Sequence, residues 1–154
     1  MTHPFRLTLE HLQTQSHRIK FRLVFDSSQL CLRLPYPRAT GLRFLKPTGE
    51  VMEWRSRWLD PVIVPGSVAS PYEFVLRPDD RIAFDLSAAI NVKPNEPGWS
   101  VELPPGEARV EFVYAQELID WERYENYVRG SRMRSHALPF AGRVASNTTD
   151  VLIT

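Results

Sequence analysis

Short runs of strictly alternating apolar and polar residues, each stopped by proline or glycine, constrain this chain more than any other feature. Phe5, Leu7 and Leu9 alternate with Arg6, Thr8 and Glu10. Ile19, Phe21, Leu23 and Phe25 alternate with Lys20, Arg22 and Val24, and Leu30, Leu32 and Leu34 with Cys31 and Arg33. Side chains of a strand point to opposite faces in turn, so this pattern buries one face and wets the other. Pro35 and Pro37 then stop pairing, because proline has no N–H for the ladder. The same pattern returns in Leu42-Arg43-Phe44-Leu45, in Tyr72, Phe74 and Leu76, in Ile82, Phe84 and Leu86, and in Ala108, Val110, Phe112 and Tyr114.

The turns between these runs carry the residues that turns require. Lys46-Pro47-Thr48-Gly49 separates 42–45 from 50–58, which predicts a hairpin with Met52, Trp54 and Trp58 on one face. Pro65-Gly66, Pro78-Asp79-Asp80 and Pro104-Pro105-Gly106 mark further turns, and 87–98 reads as a polar loop before a short strand at 99–103. The last strand carries Val144, Val151 and Ile153, with Gly142 and Ser146-Asn147 as expected irregularities such as a bulge. Eight or nine short strands at this spacing predict an all-β fold, an antiparallel β-sandwich. The 13 prolines are spread over the turns rather than gathered in a linker, so 1–154 reads as a single β-sandwich domain.

One stretch breaks the rhythm. Residues 115–139, AQELIDWERYENYVRGSRMRSHALP, join two strands by a connection far longer than compact β domains normally use. Leu118, Trp121, Tyr124 and Val128 recur at helical spacing, which predicts one short helix within 116–128, capped by Gly130. The stretch gathers Trp121, Arg123, Tyr124, Tyr127, Arg129, Arg132, Arg134 and His136. Trp, Tyr and Arg are the residues over-represented at interface hot spots, so these eight are the candidate partner-binding residues. The competing reading is that Trp121 and Tyr124 merely pack a helix onto a sheet while the arginines face water. Both hold together if Trp121 turns inward and Tyr127, Arg129, Arg132 and Arg134 turn outward.

The order of segments resembles that of small bacterial immunoglobulin-like domains. The resemblance rests on the strands at 5–12 and 19–25 leading to Asp26-Ser27-Ser28, on Pro65-Gly66 ahead of a strand, and on Pro105-Gly106-Glu107-Ala108-Arg109-Val110. It also rests on the ending Pro139-Phe140-Ala141-Gly142-Arg143-Val144-Ala145-Ser146-Asn147. Within that group, Gly49-Glu50-Val51-Met52-Glu53-Trp54-Arg55 resembles the central hairpin of intracellular proteinase inhibitors. None of that family's inhibitory residues is matched here, and fold likeness alone does not license function.

Catalytic and cofactor chemistry find little support. There is no G-x-S-x-G elbow and no glycine-rich phosphate loop. Cys31 reads as a buried, inert thiol between leucines. His3, His11, His17 and His136 lack metal-ligand spacing, although His11 and His17 flank one turn. Asp79, Asp80 and Asp85 read as turn and strand residues rather than a calcium site. The carboxylates Glu117, Asp120, Glu122 and Glu125 read as a solvated helix face. No cofactor or metal is expected.

A net charge of +1 gives no global field for a polyanion, so nucleic acid is not an expected ligand. The single cysteine fits a reducing compartment, and MTHPFRLTLEHL lacks the basic and apolar regions of a signal peptide. No apolar run approaches the length needed to cross a bilayer. The expectation is a cytoplasmic, non-enzymatic module that binds a protein partner, or a second copy of itself, through the 116–138 connection. The alternatives are an intracellular protease inhibitor using a sandwich-end loop, and a small hydrolase without a recognisable motif.

Overall fold

The computed structural model of the chain describes residues 3–52, 55–59, 73–92, 98–117 and 137–154. In chain order the strands are β1 (Arg6–Gln15), β2 (Arg18–Asp26), β3 (Leu32–Pro35), β4 (Leu42–Leu45), β5 (Arg55–Leu59), β6 (Glu73–Leu76) and β7 (Ile82–Ile90). Then come β8 (Gly98–Glu102), β9 (Gly106–Gln116), β10 (Leu138–Pro139), β11 (Gly142–Ala145) and β12 (Thr149–Ile153). One 3-10 turn, Ala39–Gly41, precedes β4. Among the described residues the architecture is all-β, as the alternation requires.

The strands form a five-stranded sheet in the order β1-β2-β7-β8-β5, a three-stranded sheet β10-β3-β6, and a group around β9 in which β11, β12 and β4 all pair with it. Their apolar faces meet in one core. Phe21, Leu23 and Phe25 enter it from β2, Leu32 and Leu34 from β3, Phe44 from β4, and Val110, Phe112 and Tyr114 from β9. The polar partners of these residues in the alternation, such as Lys20, Arg22 and Arg109, are exposed.

Several expectations need correction. The sheets are mixed rather than purely antiparallel, because β7 pairs with β8 and β10 pairs with β3 in parallel, each over two residue pairs. Twelve strand segments stand among the described residues against the eight or nine expected. The loop expected from residue 87 begins four residues later. Ala88, Ala89 and Ile90 are buried, and Ser87, Ala88 and Ala89 pair with Lys20, Ile19 and Arg18, so β7 continues through a stretch whose composition reads as polar. Leu30 does not share the buried face of Leu32 and Leu34 but is 53% exposed, ahead of the start of β3.

The expected hairpin of 42–45 with 50–58 begins and then opens. Lys46 N–H donates to the Glu50 carbonyl at 2.8 Å and Met52 N–H to the Phe44 carbonyl at 3.0 Å. The chain then leaves, and β5 pairs with β8 in the five-stranded sheet while β4 pairs with β9. Met52 is buried and Val51 exposed, as alternation demands; Trp54 and the side chain of Trp58 lie outside the described residues.

The expected irregularity in the last strand is present. Between the pairs Ala145↔Val113 and Thr149↔Val110 the return strand advances four residues while β9 advances three. The extra residue is a bulge, and it frees Ser146 and Asn147 to do other work. Ser146 Oγ accepts the Phe112 N–H at 2.8 Å, and Ser146 N–H donates to the Phe112 carbonyl at 2.9 Å. Asn147 reaches to β1, the edge of the five-stranded sheet. Its Oδ1 accepts the Leu9 N–H at 2.8 Å and its Nδ2 donates to the Leu9 carbonyl at 3.0 Å. Both backbone groups of one strand residue point the same way, so Leu9 turns them away from β2, and the Asn147 carboxamide takes the place of a neighbouring strand. This occupies part of an edge that would otherwise be open to pairing.

Two stability tests follow from these contacts. A Cβ on Gly41 would stand 2.5 Å from the ring of Phe112, which is buried in the core and has nowhere to go. Gly41→Ala is expected to cost about 1–3 kcal/mol by overpacking, measured by chemical denaturation. Asn147→Ala strands two backbone groups of a buried residue, and a loss of about 1–3 kcal/mol is expected. Asn147→Asp, which sets a carboxylate against the Leu9 carbonyl, is expected to recover little of it. Wild-type stability in either Asn147 variant would disprove the clamp.

Candidate functional site

All eight expected partner-binding residues, Trp121, Arg123, Tyr124, Tyr127, Arg129, Arg132, Arg134 and His136, lie outside the described residues, and so does most of the expected helix within 116–128. Gln116, the first residue of that expected helix, is the last residue of β9. The structure does describe both ends of the connection and what holds them.

The departing end is the C-terminal half of β9, where Gln116 pairs with Gly142. The returning end is pinned more heavily. Ala137 and Phe140 are buried. Leu138 N–H donates to the Cys31 carbonyl at 3.0 Å, and Phe140 N–H to the Arg33 carbonyl at 3.0 Å. Pro139 falls between them, where a backbone N–H would point away from β3. Proline therefore costs no bond there and forbids pairing on the outer side. Leu138, 56% exposed, and the exposed Leu30, next in sequence to the Cys31 that holds it, give this foot an apolar surface.

Arg33 ties the foot to the sheet. Its carbonyl holds Phe140, and its guanidinium forks onto Glu73 of β6, with Nε to Oε1 at 3.2 Å and Nη2 to Oε2 at 3.1 Å. The two side chains are only 11% and 15% exposed, so the fork works in a poorly solvated setting. Behind it stands a ring cluster. Phe5 contacts Phe140 at 5.2 Å and Tyr114 at 6.1 Å between centroids, and Tyr114 contacts Phe140 at 5.8 Å. The Tyr114 hydroxyl donates to the Pro35 carbonyl at 2.7 Å. Burial pushes this phenol far above its ordinary pKa, so it stays a neutral donor.

Arg6 and Asp26 close the same end of the β1–β2 pair. They sit directly opposite in register, and the guanidinium meets the carboxylate in a two-bond fork at 2.9 and 3.0 Å. The Arg6 hydrogen bonds hold the Asp26 carboxyl below its ordinary pKa against the opposing effect of burial, with help from Ser27 and Arg81. Gln29 N–H, donating to the Pro4 carbonyl at 3.2 Å, carries the chain from here towards Cys31.

The remaining sequence candidates resolve individually. Cys31 is half-buried and unpaired, just before β3 rather than within a strand. His11 sits on Phe21 at 6.0 Å and bonds Thr14 Oγ1 at 2.9 Å, apart from any role with His17. Asp80 closes its turn by accepting the Arg77 N–H at 2.9 Å, and Asp85 pairs with Arg22 at 3.1 Å. Among the described residues no group of three or more His, Cys, Asp or Glu side chains is placed to hold a metal ion.

Sequence reasoning missed a cleft at the far end of the β1–β2 hairpin. Its volume is about 620 Å³, and Arg18, Lys20, Gln13, Gln15 and Ser87 are among its lining residues. Only part of the signal was present: Arg18 and Lys20 are successive outward positions of one strand, and Gln13 and Gln15 are their partners across the turn, while the β7 side of the cleft is not marked in the hairpin.

No family model, curated protein or solved structure matches this chain. Among the described residues no helix is long and apolar enough to cross a membrane.

The Asp26 carboxyl has a testable pH signature. Because its folded pKa lies below the unfolded value, its contribution to stability is fully present above the ordinary carboxyl range and disappears as pH falls through the folded pKa. Asp26→Asn should therefore melt below wild type at neutral pH, and the gap should close between about pH 5 and pH 2. A gap unchanged at the acid end would show that the ion pair is not its source.

Proposed function

We propose that this chain is a non-enzymatic protein-interaction module, an immunoglobulin-like sandwich that presents the 116–138 connection to a protein partner. The observation that carries the reading is the anchorage of the connection. Its two ends are tied by strand pairing at Gln116 and Leu138, with Ala137 and Phe140 buried and Leu30 and Leu138 exposed beside them. A rigid scaffold holding a long, aromatic and arginine-rich segment is how loops acquire binding function. The composition of the segment, Trp121, Tyr124 and Tyr127 among Arg123, Arg129, Arg132 and Arg134, is that of an interface core rather than a spacer. The lone Cys31 supports a cytoplasmic setting within the same reading.

The test is affinity capture from host lysate with the wild-type chain and a Tyr127→Ala, Arg129→Ala, Arg132→Ala triple variant, beside sedimentation of the pure protein to detect self-association. Hot-spot truncations cost more than about 1 kcal/mol each, so the triple change should weaken the contact on the order of 100-fold with an unchanged melting curve. Identical captures from both proteins, with identical sedimentation, would refute the reading.

A further inference from the structure

We propose that the cleft at the tip of the β1–β2 hairpin binds a small, hydroxyl-rich phosphate ester of the sugar-phosphate class. The site is separate from the 116–138 connection and does not depend on its role.

The cleft is built on fixed backbone. The hairpin turns at Ser16, which has φ 53°, and the His17 carbonyl accepts the Ile90 N–H at 2.7 Å, which ties the turn to the end of β7. The opposite wall is Asn91-Val92. Asn91, with φ 52°, donates its N–H to the Val101 carbonyl at 2.9 Å. Its side chain also exchanges two bonds with the Leu103 backbone, at 3.0 and 2.9 Å. Neither wall needs to be ordered by a ligand, which lowers the cost of binding.

The floor follows from register. Lys20 lies between Gln13 of β1 and Ser87 of β7, and Arg18 lies opposite Gln15. Two cations thus stand two residues apart on one face, and no carboxylate is among the described residues that line the cleft. The next outward cation along β2, Arg22, is paired with Asp85 and stands opposite Glu10 in register, so the acidic residues of this face gather there, before the cleft begins. Among the described residues no carboxylate pairs with Arg18 or Lys20. An arginine fork beside a lysine point charge is a fit for phosphate oxygens.

Size and chemistry narrow the ligand. A cleft of about 620 Å³ lies within the range of small-molecule sites. Ser16, Ser87 and the Gln15 carboxamide offer hydrogen bonds suited to ligand hydroxyls. Among the described lining residues there is no Trp, Tyr or Phe and the one ring is the His17 imidazole, so the run of aromatic faces on which single-stranded nucleic acid stacks is lacking there.

The experiment is amide NMR titration of the full chain at low salt with glucose 6-phosphate, inorganic phosphate and glucose. Saturable shifts confined to 13–20 and 87–92 are expected with glucose 6-phosphate at millimolar concentration or below. An Arg18→Gln, Lys20→Gln double variant should weaken that binding at least roughly tenfold. Both positions are exposed, so the variant's spectrum should keep wild-type dispersion, and Arg143→Gln on β11 should bind as wild type does. Absence of saturable shifts in the wild type, or equal affinity in the double variant, would overturn the site. Inorganic phosphate binding as tightly as the ester, or a short RNA binding more tightly than either, would overturn the ligand class.

Discussion

The ring of Phe25 is the point on which the sheets converge. It lies 5.5 Å from Phe5, 5.1 Å from Phe74, 5.7 Å from Phe84 and 5.3 Å from Tyr114, centroid to centroid. Those partners come from the approach to β1, from β6, β7 and β9, so one side chain of β2 touches all three strand groups. Most of these pairs meet edge to face, the arrangement that aromatic quadrupoles favour. Removing a buried aromatic costs about 3–5 kcal/mol, a large share of the 5–15 kcal/mol that holds an ordinary domain together. Two of these sheets are short, β10-β3-β6 above all, and would not persist without a face to cover. The foot of the 116–138 connection therefore depends on Phe25 indirectly, through Phe5, Tyr114 and Phe140.

Where the ladder is interrupted, asparagine replaces it. Asn147 presents an acceptor and a donor to Leu9, and Asn91 does the same for Leu103. A carboxamide has the geometry of a peptide group, so each residue extends pairing by one step where no strand continues. The two positions differ in consequence. Asn147 joins the return strand at the β9 group to the edge of the five-stranded sheet, across layers. Asn91 ends β7 and fixes the mouth of the hairpin cleft. In both cases a buried backbone pair that would otherwise cost free energy is satisfied by a side chain.

Alternation made the first halves of β1, β2 and β9 legible, because there one face is wet and the other dry. It failed at Ala88-Ala89-Ile90, where both faces are covered and period two disappears. It also failed at Leu30, where the pattern persists one step beyond the strand. The departure of residues 55–59 to the other sheet is invisible locally, since a turn such as Lys46-Pro47-Thr48-Gly49 says that the chain reverses but not which strand it then joins. The parallel pairs escape for the same reason: register between distant segments is a tertiary property. The candidate residues of the connection were legible as composition only. The hairpin cleft depends on β7 lying beside β2, which sets Ser87 next to Lys20, and no single strand carries that information.

The foot of the connection and the hairpin cleft sit at opposite ends of one strand. Asp26, at the C-terminal end of β2, belongs to the foot of the connection, and Arg18, at its N-terminal end, belongs to the cleft. Nine residues of extended chain separate their ends by roughly 30 Å. Between them Ile19, Phe21, Leu23 and Phe25 are all but inaccessible, seated in the core against residues of both neighbouring layers. A close-packed strand of this kind has one arrangement rather than two, and coupling between distant sites requires an element with two. If both proposed sites bind, occupancy of the cleft is therefore not expected to reach the connection, and changes at Arg18 and Lys20 should act independently of changes at Tyr127, Arg129 and Arg132. On that proposal, a ligand at the hairpin tip would add to stability by mass action and leave the affinity of the proposed partner surface where it was.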